Sequence, residues 1–201
     1  NLNPEEDEIK KYIDENKVTC LISPCSSQRY GKKYNRSWPI ENFIEVIEYL
    51  LEGKNIQVII TGGLSETEVE YSKKIDSEDF NEDFVNLIGK TSIRGMAALV
   101  KHSQFIISPD SGPAHIGTVM NKPVIGLYAM SNLNRSGPYY SGKWTIDKYP
   151  EALETFEGKN IESSKWGQKV KDPDAMQLVK VNDVISKIDG VISYVNKRHQ
   201  D

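Results

Sequence analysis

Phe105-Ile106-Ile107-Ser108-Pro109-Asp110-Ser111-Gly112-Pro113-Ala114-His115 holds a strand, a turn and a helix start in one short stretch. Phe105–Ile107 is a brief continuous apolar run, as expected of a strand buried on both faces. The Pro109–Gly112 tetrapeptide is a turn, and a helix is expected from about Gly112 to Met120. Val124–Tyr128 then reads as the next strand. The same unit recurs upstream. Val18–Ile22, Gln57–Ile60 and Val85–Leu87 are short apolar runs, each followed by a polar or glycine-containing loop. Between them lie helical patterns. One is opened by Pro39, carries Phe43, Ile44, Ile47, Leu50 and Leu51 and ends at Gly53. Another runs from Ser65 to Ile75 with Ser65 as its cap, and a third is capped by Ser92 and continues through Met96, Leu99 and Val100. Strand and helix in alternation predict an α/β fold: a Rossmann-like, five-stranded parallel sheet with helices on both faces.

The ends and the tail are less regular. Residues 1–17 are polar, and Pro4 with Glu5, Glu6 and Asp7 suggests a helix start, either an edge helix or the end of a linker. Ala129–Lys171 is rich in Gly, Tyr, Trp and Lys and reads as irregular. A last helix is expected from about Asn182 to Lys197, with Val184, Ile185, Ile188 and Val191 on one face. Residues 18–201 are thus expected to form one ligand-binding domain.

Composition narrows the function. A formal net charge of −4 argues against nucleic acid as a partner through bulk charge. No apolar run is long enough for a transmembrane segment, and no secretory leader is evident, which points to the cytoplasm. A first residue of Asn rather than Met suggests a fragment or a trimmed chain. Cys20 and Cys25 stand apart from any Cys/His cluster and read as free thiols. No Asp-x-Asp or histidine-rich cluster suggests a metal, and neither a Gly-x-Gly-x-x-Gly nor a Walker sequence is present. The Gly-x-Ser-x-Gly elbow is also missing, since Pro109 stands where its first Gly would, so Ser111 is not read as a nucleophile.

In such a sheet, ligands bind outside the carboxyl ends of the strands, where every polar loop of this chain gathers. The loop after the first strand offers Ser26 and Ser27 as hydroxyl donors, with Arg29, Lys32, Lys33 and Arg36 beyond them. That combination suits a pyrophosphate but is equally a solvated basic loop. In Thr61-Gly62-Gly63-Leu64-Ser65-Glu66, the glycines permit close approach of a ligand. Glu66 is either a ribose acceptor or an acidic residue in a first helical turn. Thr91 precedes the cap Ser92 and lies near a bound base if there is one. Ser111 and Gly112 sit at a helix N-terminus, where free N–H groups favour a phosphate. Asp110 can accept from sugar hydroxyls, and His115 can donate to a phosphate one turn in; the alternative is a capped turn with a packed histidine.

Taken in order, these loops resemble glycosyltransferase family 9, the heptosyltransferases. The resemblance rests on Ser26-Ser27 with Arg36-Ser37-Trp38-Pro39, on Gly62-Gly63 with Glu66, on Ile88-Gly89-Lys90-Thr91-Ser92, and on Asp110-Ser111-Gly112-Pro113-Ala114-His115 leading to Lys122-Pro123. It spans about Val18 to Tyr128, with an echo in Met176-Gln177-Leu178-Val179. It implies one half of a GT-B enzyme, the C-terminal domain that binds an ADP-sugar donor, with the acceptor-binding N-terminal domain absent. By the resemblance, Ser26, Ser27 and Arg36 hold the diphosphate, Glu66 the ribose, Thr91 the adenine, and Asp110 the donor sugar, while Ser111, Gly112 and His115 lie against the phosphates. The implied reaction is inverting and needs no cofactor or metal. The implied partners are a nucleotide-sugar donor and a lipid-linked glycan acceptor held by the other domain at the inner membrane face. With the family's general base on that other domain, this half is expected to bind donor without turning it over; His115 and Arg36 would stabilise the leaving group. The loop before Arg36 is longer than the family pattern, and Ala175-Met176 stands where some relatives have cysteine. Two other readings remain: a GT-B transferase or epimerase using another sugar nucleotide such as a UDP-sugar, and a non-catalytic nucleotide-binding domain whose aromatic tract from Tyr128 to Trp166 meets a partner.

Overall fold

Six short strands form one parallel sheet in a computed structural model that describes residues 3–26 and 36–198. They are β1 (Thr19–Ile22), β2 (Gln57–Gly62), β3 (Phe84–Ile88), β4 (Phe105–Pro109), β5 (Val124–Tyr128) and β6 (Ile146–Asp147). Their order is β3-β2-β1-β4-β5-β6. The chain moves outward through β2 and β3, then returns past β1 to begin again at β4. That reversal opens a crevice at the carboxyl ends of β1 and β4, where this class of sheet receives its ligands. The expected five strands are therefore six. β6 is only two residues long and shows no alternation that a sequence reading could detect.

The pleat sends alternate side chains to opposite faces, and both faces are covered. Cys20, Ile22, Val58, Ile60, Phe105 and Ile107 face one core, completed by α2 (Ile40–Lys54), α7 (Tyr149–Glu157) and α8 (Val181–Arg198). Leu21, Ile59, Ile106 and Val124 face the other, built with α1 (Asn3–Lys10), α4 (Ile93–His102) and α5 (Gly112–Val119). α3 (Glu66–Ile75) packs at the β3 edge, and α6 (Leu133–Ser136) follows β5. α5 lies close on the sheet because Gly117 has no side chain: a Cβ there would stand 2.4 Å from Ile106 Cδ1. α1 rests on α4, with Ile9 buried and Glu6 accepting from Lys101 Nζ at 2.7 Å and pairing with His102 Nε2 at 2.8 Å.

Several helix boundaries follow local chemistry. Ser65 accepts from the Glu68 amide, and Glu68 returns a carboxylate oxygen to the Ser65 amide, a complete capping box. Ser92 accepts from the Gly95 amide. α2 does not end at Gly53. It continues to Lys54, and Asn55 takes the left-handed conformation at φ 52°, which Asn tolerates better than most residues. The tract expected to be irregular holds α6, a 3₁₀ turn at Gly142–Trp144, β6 and α7.

Trp38 fixes the entry to α2. Its ring is fully buried and edge-on to Phe43, with centroids 5.0 Å apart. Its Nε1 donates to the Val179 carbonyl at 3.0 Å, just past the 3₁₀ turn Ala175–Leu178, while its own carbonyl accepts from Tyr71 at 2.8 Å. Arg36 and Ser37 are thereby held over the end of β1.

Candidate functional site

A cleft of about 560 Å³ runs across the carboxyl ends of the strands. The loop after β1 contributes Ser23 and Cys25 to its wall, the end of β2 and its turn Thr61–Ser65, the turn into α4 Thr91 and Ile93, and the start of α5 Ser111–Pro113. Thr61 and Thr91 share a hydrogen bond of 3.1 Å between their hydroxyls. Leu64 and Ile93 are largely exposed beside it and form apolar lips. Cys25 is buried, and burial is the main reason its thiol is pushed up to about 12, partly offset by a hydrogen bond with Ser37. At neutral pH it is a protonated thiol and not a nucleophile.

The carboxylate in this wall is Glu68. Its Oε1 accepts from the Gly63 amide at 2.6 Å, and its Oε2 accepts from the Ser65 amide at 2.9 Å and the Ser65 hydroxyl at 2.6 Å. Glu66 is exposed and lies outside the lining residues. The signal for Glu68 was present in the sequence: Ser65-Glu66-Thr67-Glu68 is the Ser-x-x-Glu pattern of a capping box, which turns the fourth residue back toward the loop.

At the start of α5, Ser111 occupies the cap position without a side-chain bond to the helix; its hydroxyl pairs instead with Ser108 at 2.6 Å. Pro113 in the first turn has no N–H to satisfy. Among the described residues the space around Gly112 is open: beyond its chain neighbours and the helix's own backbone, nothing lies within 4 Å of where a Cβ would stand. The positive end of this helix thus faces the cleft through backbone alone.

Behind it lies a buried charged cluster centred on Asp110, at the end of β4. Oδ2 of Asp110 accepts from Arg36 Nη1, from the Ser131 hydroxyl at 2.7 Å and from the Ser136 hydroxyl at 3.1 Å. Lys169 Nζ lies 3.9 Å from the same oxygen, and His115 Nε2 lies 3.7 Å from Oδ1. Arg36 also donates from Nε to Ser26 at 3.1 Å, and the Ser26 amide donates to Ser37 at 3.3 Å. Burial pushes the Asp110 carboxyl up more than any other single influence. His115, Ser131, Arg36 and Lys169 together outweigh it and bring the group down from 3.8 to about 2. Asp110 is therefore ionised, and it serves first as the anchor of Arg36.

The structure thus brings Ser26, Arg36, Asp110, Ser111, Gly112 and His115 to one rim, with Thr91 across the cleft. His115 is not a packed histidine: half of its side chain is exposed, at 52%. Ser27, with Arg29, Lys32 and Lys33, lies outside the described residues. Ser131, Ser136 and Lys169 were not foreseen. Each stands in the tract without sequence periodicity: Ser131 and Lys169 meet through a bridge between distant stretches, and Ser136 reaches Asp110 from α6. Among the described residues, no three His, Cys, Asp or Glu side chains gather as a metal site would require. Nor is any helix among them long and apolar enough to cross a membrane.

A parallel sheet of this order, with helices on both faces and a helix N-terminus opening on its carboxyl rim, defines a Rossmann-like α/β domain. The chain belongs to glycosyltransferase family 9 (heptosyltransferase), whose family model matches residues 3–165. It is 34% identical to the lipopolysaccharide core heptosyltransferase OpsX of Haemophilus influenzae, over 89% of this chain and 49% of that protein. It is 25% identical to lipooligosaccharide heptosyltransferase 2 of the same organism, over 83% of this chain and 48% of that one. Among solved structures, the Escherichia coli ADP-heptose lipopolysaccharide heptosyltransferase II superposes with a TM-score of 0.67 at 15% identity, over 98% of this chain and 53% of that one. The fold is also shared, at a TM-score of 0.57 and 14% identity over 90% of this chain and 47% of that one, with TibC, a heptosyltransferase described as dodecameric and iron-containing. The chain spans about half the length of the curated relatives it matches.

Proposed function

We propose that this chain is the donor-binding half of a heptosyltransferase that moves a heptose or related sugar from an ADP-sugar to a lipopolysaccharide core or another surface glycan. The observation that carries this reading is the helix N-terminus at Gly112 with Arg36 anchored beside it on Asp110, in a chain of this family. A diphosphate there meets backbone donors and a nearby guanidinium. Ser26, which accepts from Arg36 Nε at 3.1 Å, adds a hydroxyl to the same group. Thr91, with the lips Leu64 and Ile93, flanks the base. Glu68 takes the ribose role assigned above to Glu66, because it is the carboxylate in the cleft wall. The Oδ1 edge of Asp110, 3.7 Å from His115 Nε2, meets the donor sugar.

In the transfer, an acceptor hydroxyl attacks the anomeric carbon from the face opposite the diphosphate. The bond to the phosphate oxygen breaks, and its electron pair leaves with ADP. Negative charge grows on that oxygen, and Arg36, His115 and the α5 dipole stabilise it where it develops. The acceptor proton goes to a base on the other half of the enzyme, and no metal is required. The natural setting is the cytoplasmic face of the inner membrane.

The test is calorimetric titration of the chain with ADP, UDP and GDP without added metal. Saturable binding of ADP, weakened by His115→Ala, is the expected result. A preference for UDP would keep the site and change the donor. Binding of none of the three would sink the donor reading.

A further inference from the structure

Between α7 and the 3₁₀ turn at Ala175–Leu178 the chain carries Lys159, Lys165, Lys169 and Lys171. Lys159, Lys165 and Lys171 are exposed, whereas Lys169 turns inward: its side chain is 16% exposed, and its amine lies 3.9 Å from Oδ2 of Asp110. The backbone holds it there. Lys169 bridges Ser131, the Val170 amide donates to the Met130 carbonyl at 3.1 Å, and the Tyr149 hydroxyl donates to the Gln168 carbonyl at 2.8 Å. The same bridge places Ser131, whose hydroxyl donates to Asp110 at 2.7 Å. One pairing of two distant stretches thus delivers a hydroxyl and an ammonium to a single carboxylate oxygen. Burying an ammonium is costly unless an opposite charge makes use of it.

Asp110 already has a cation in Arg36. A guanidinium neutralised by its own carboxylate has little charge to offer an anion beyond it. With Lys169 at the same oxygen, two cations face one carboxylate, and the trio keeps a net positive charge. Arg135 on α6 adds to it, and His115 approaches Oδ1 of Asp110 from α5. The acid on the other side is Glu157 of α7, which accepts from Gln168, the neighbour of Lys169, at 3.4 Å. Burial first, and then Arg36 and Arg135, draw the Lys169 amine from 10.5 down to about 8 against the opposing pull of Asp110. At neutral pH it is still mostly an ammonium.

We propose that Lys169 is a positioning residue for the donor diphosphate: its ammonium shares the Asp110 carboxylate with Arg36, so that the charge of the guanidinium acts outward on the diphosphate instead of being cancelled within the cluster. This rests on the donor reading above. It gives the tract after α7 a part in donor capture, through Asp110 and Arg36, with no contact to the nucleotide required.

The test is an amide NMR titration of the chain with ADP and with adenosine, which shares the base and ribose but has no phosphate, read at residues 62–65 and 111–116. At neutral pH, Lys169→Met should weaken ADP about tenfold, the size of one unit charge acting through a protein interior, and should not alter adenosine. Lys169→Arg keeps the charge and should restore ADP. The parent chain supplies a second reading without any substitution. The ammonium is the form that helps, so ADP affinity is full below about 8 and falls as pH rises through the Lys169 value. Cys25 and Tyr149 are pushed up by burial and keep their protons between about pH 7 and about 9.5, and the last phosphate proton of ADP is already lost, at roughly 6. The fall should persist in His115→Ala and vanish in Lys169→Arg, since a guanidinium does not titrate in this range. Equal ADP affinity in Lys169→Met and the parent, an equal loss of ADP and adenosine, a Lys169→Arg variant as weak as Lys169→Met, or a flat profile in the parent would each overturn the proposal. Absence of ADP binding in the parent would overturn the donor reading and this one with it, a result distinct from ADP binding that Lys169 does not affect.

Discussion

α4 and α5 begin side by side on the same rim, and their first turns are finished differently. Ser92 turns its hydroxyl back to the Gly95 amide, so the start of α4 is satisfied from within. Ser111 occupies the same position on α5 but spends its hydroxyl on Ser108, and the next residue is a glycine facing open space. The closed terminus contributes stability, and the open one leaves its first amides without a side-chain cap. Serine at a cap position therefore says little by itself about which helix end a fold keeps for binding; the partner of its hydroxyl decides.

The largest effect expected concerns the charges behind α5. Asp110→Ala leaves Arg36 and Lys169 without their shared counter-ion in a buried setting, and should cost about 3–5 kcal/mol in denaturant unfolding. Titration approaches the same loss. The folded value of Asp110, about 2, lies below its ordinary 3.8, so its stabilising contribution is complete above that ordinary value and fades as pH falls toward 2. An acid unfolding midpoint that Asp110→Asn does not move would show that the cluster is not held by this charge.

Next comes the open terminus itself. Gly112→Ala should leave stability within about 0.5 kcal/mol, since nothing among the described residues crowds the new methyl, but should weaken ADP about tenfold by standing in the ligand's path. His115→Ala, at a half-exposed position, should likewise be neutral in unfolding and cost ADP affinity by roughly tenfold, the value of one hydrogen bond to a charged group. If either variant binds ADP as the parent does, α5 is open for some other reason and the contrast with α4 loses its meaning. The smallest effect belongs to the closed terminus: Ser92→Ala should lose about 1 kcal/mol in thermal or denaturant unfolding and leave ADP binding intact.

The regular half of the molecule was legible in the sequence because each element there carries its own signal. Apolar runs such as Gln57–Ile60 marked strands, and Ser65 and Ser92 marked caps. The stop at Gly53 failed because Asn55 also accepts a left-handed conformation, and core packing of Leu50 and Leu51 carries α2 past the glycine. β6 was missed because a two-residue strand has no period; α7 was missed although it buries Tyr149, Ala152 and Leu153, because those few apolar positions stand in a tract whose glycines and aromatics read as irregular. The site divided in the same way. Asp110, Gly112 and Arg36 stood in recognisable loops, whereas Ser131, Ser136 and Lys169 acquire a role only through contacts far apart in the chain, between residue types common on any surface. Glu68 lay between these cases, since its capping pattern was readable but its place in the cleft wall was not.

The bonds from Glu68 to Gly63 and Ser65 have a consequence for how a ligand is received. A glycine turn in isolation samples many conformers, and a ligand that selects one loses affinity to the ordering. Here the turn is already fastened at rest by one carboxylate. Nucleotide capture on this wall should then proceed as a rigid dock: association fast, the loop unchanged between empty and filled states, and little of the measured binding entropy assignable to the backbone of residues 62–65. The wall that gains most from flexibility in sequence is the one the fold has made stiff.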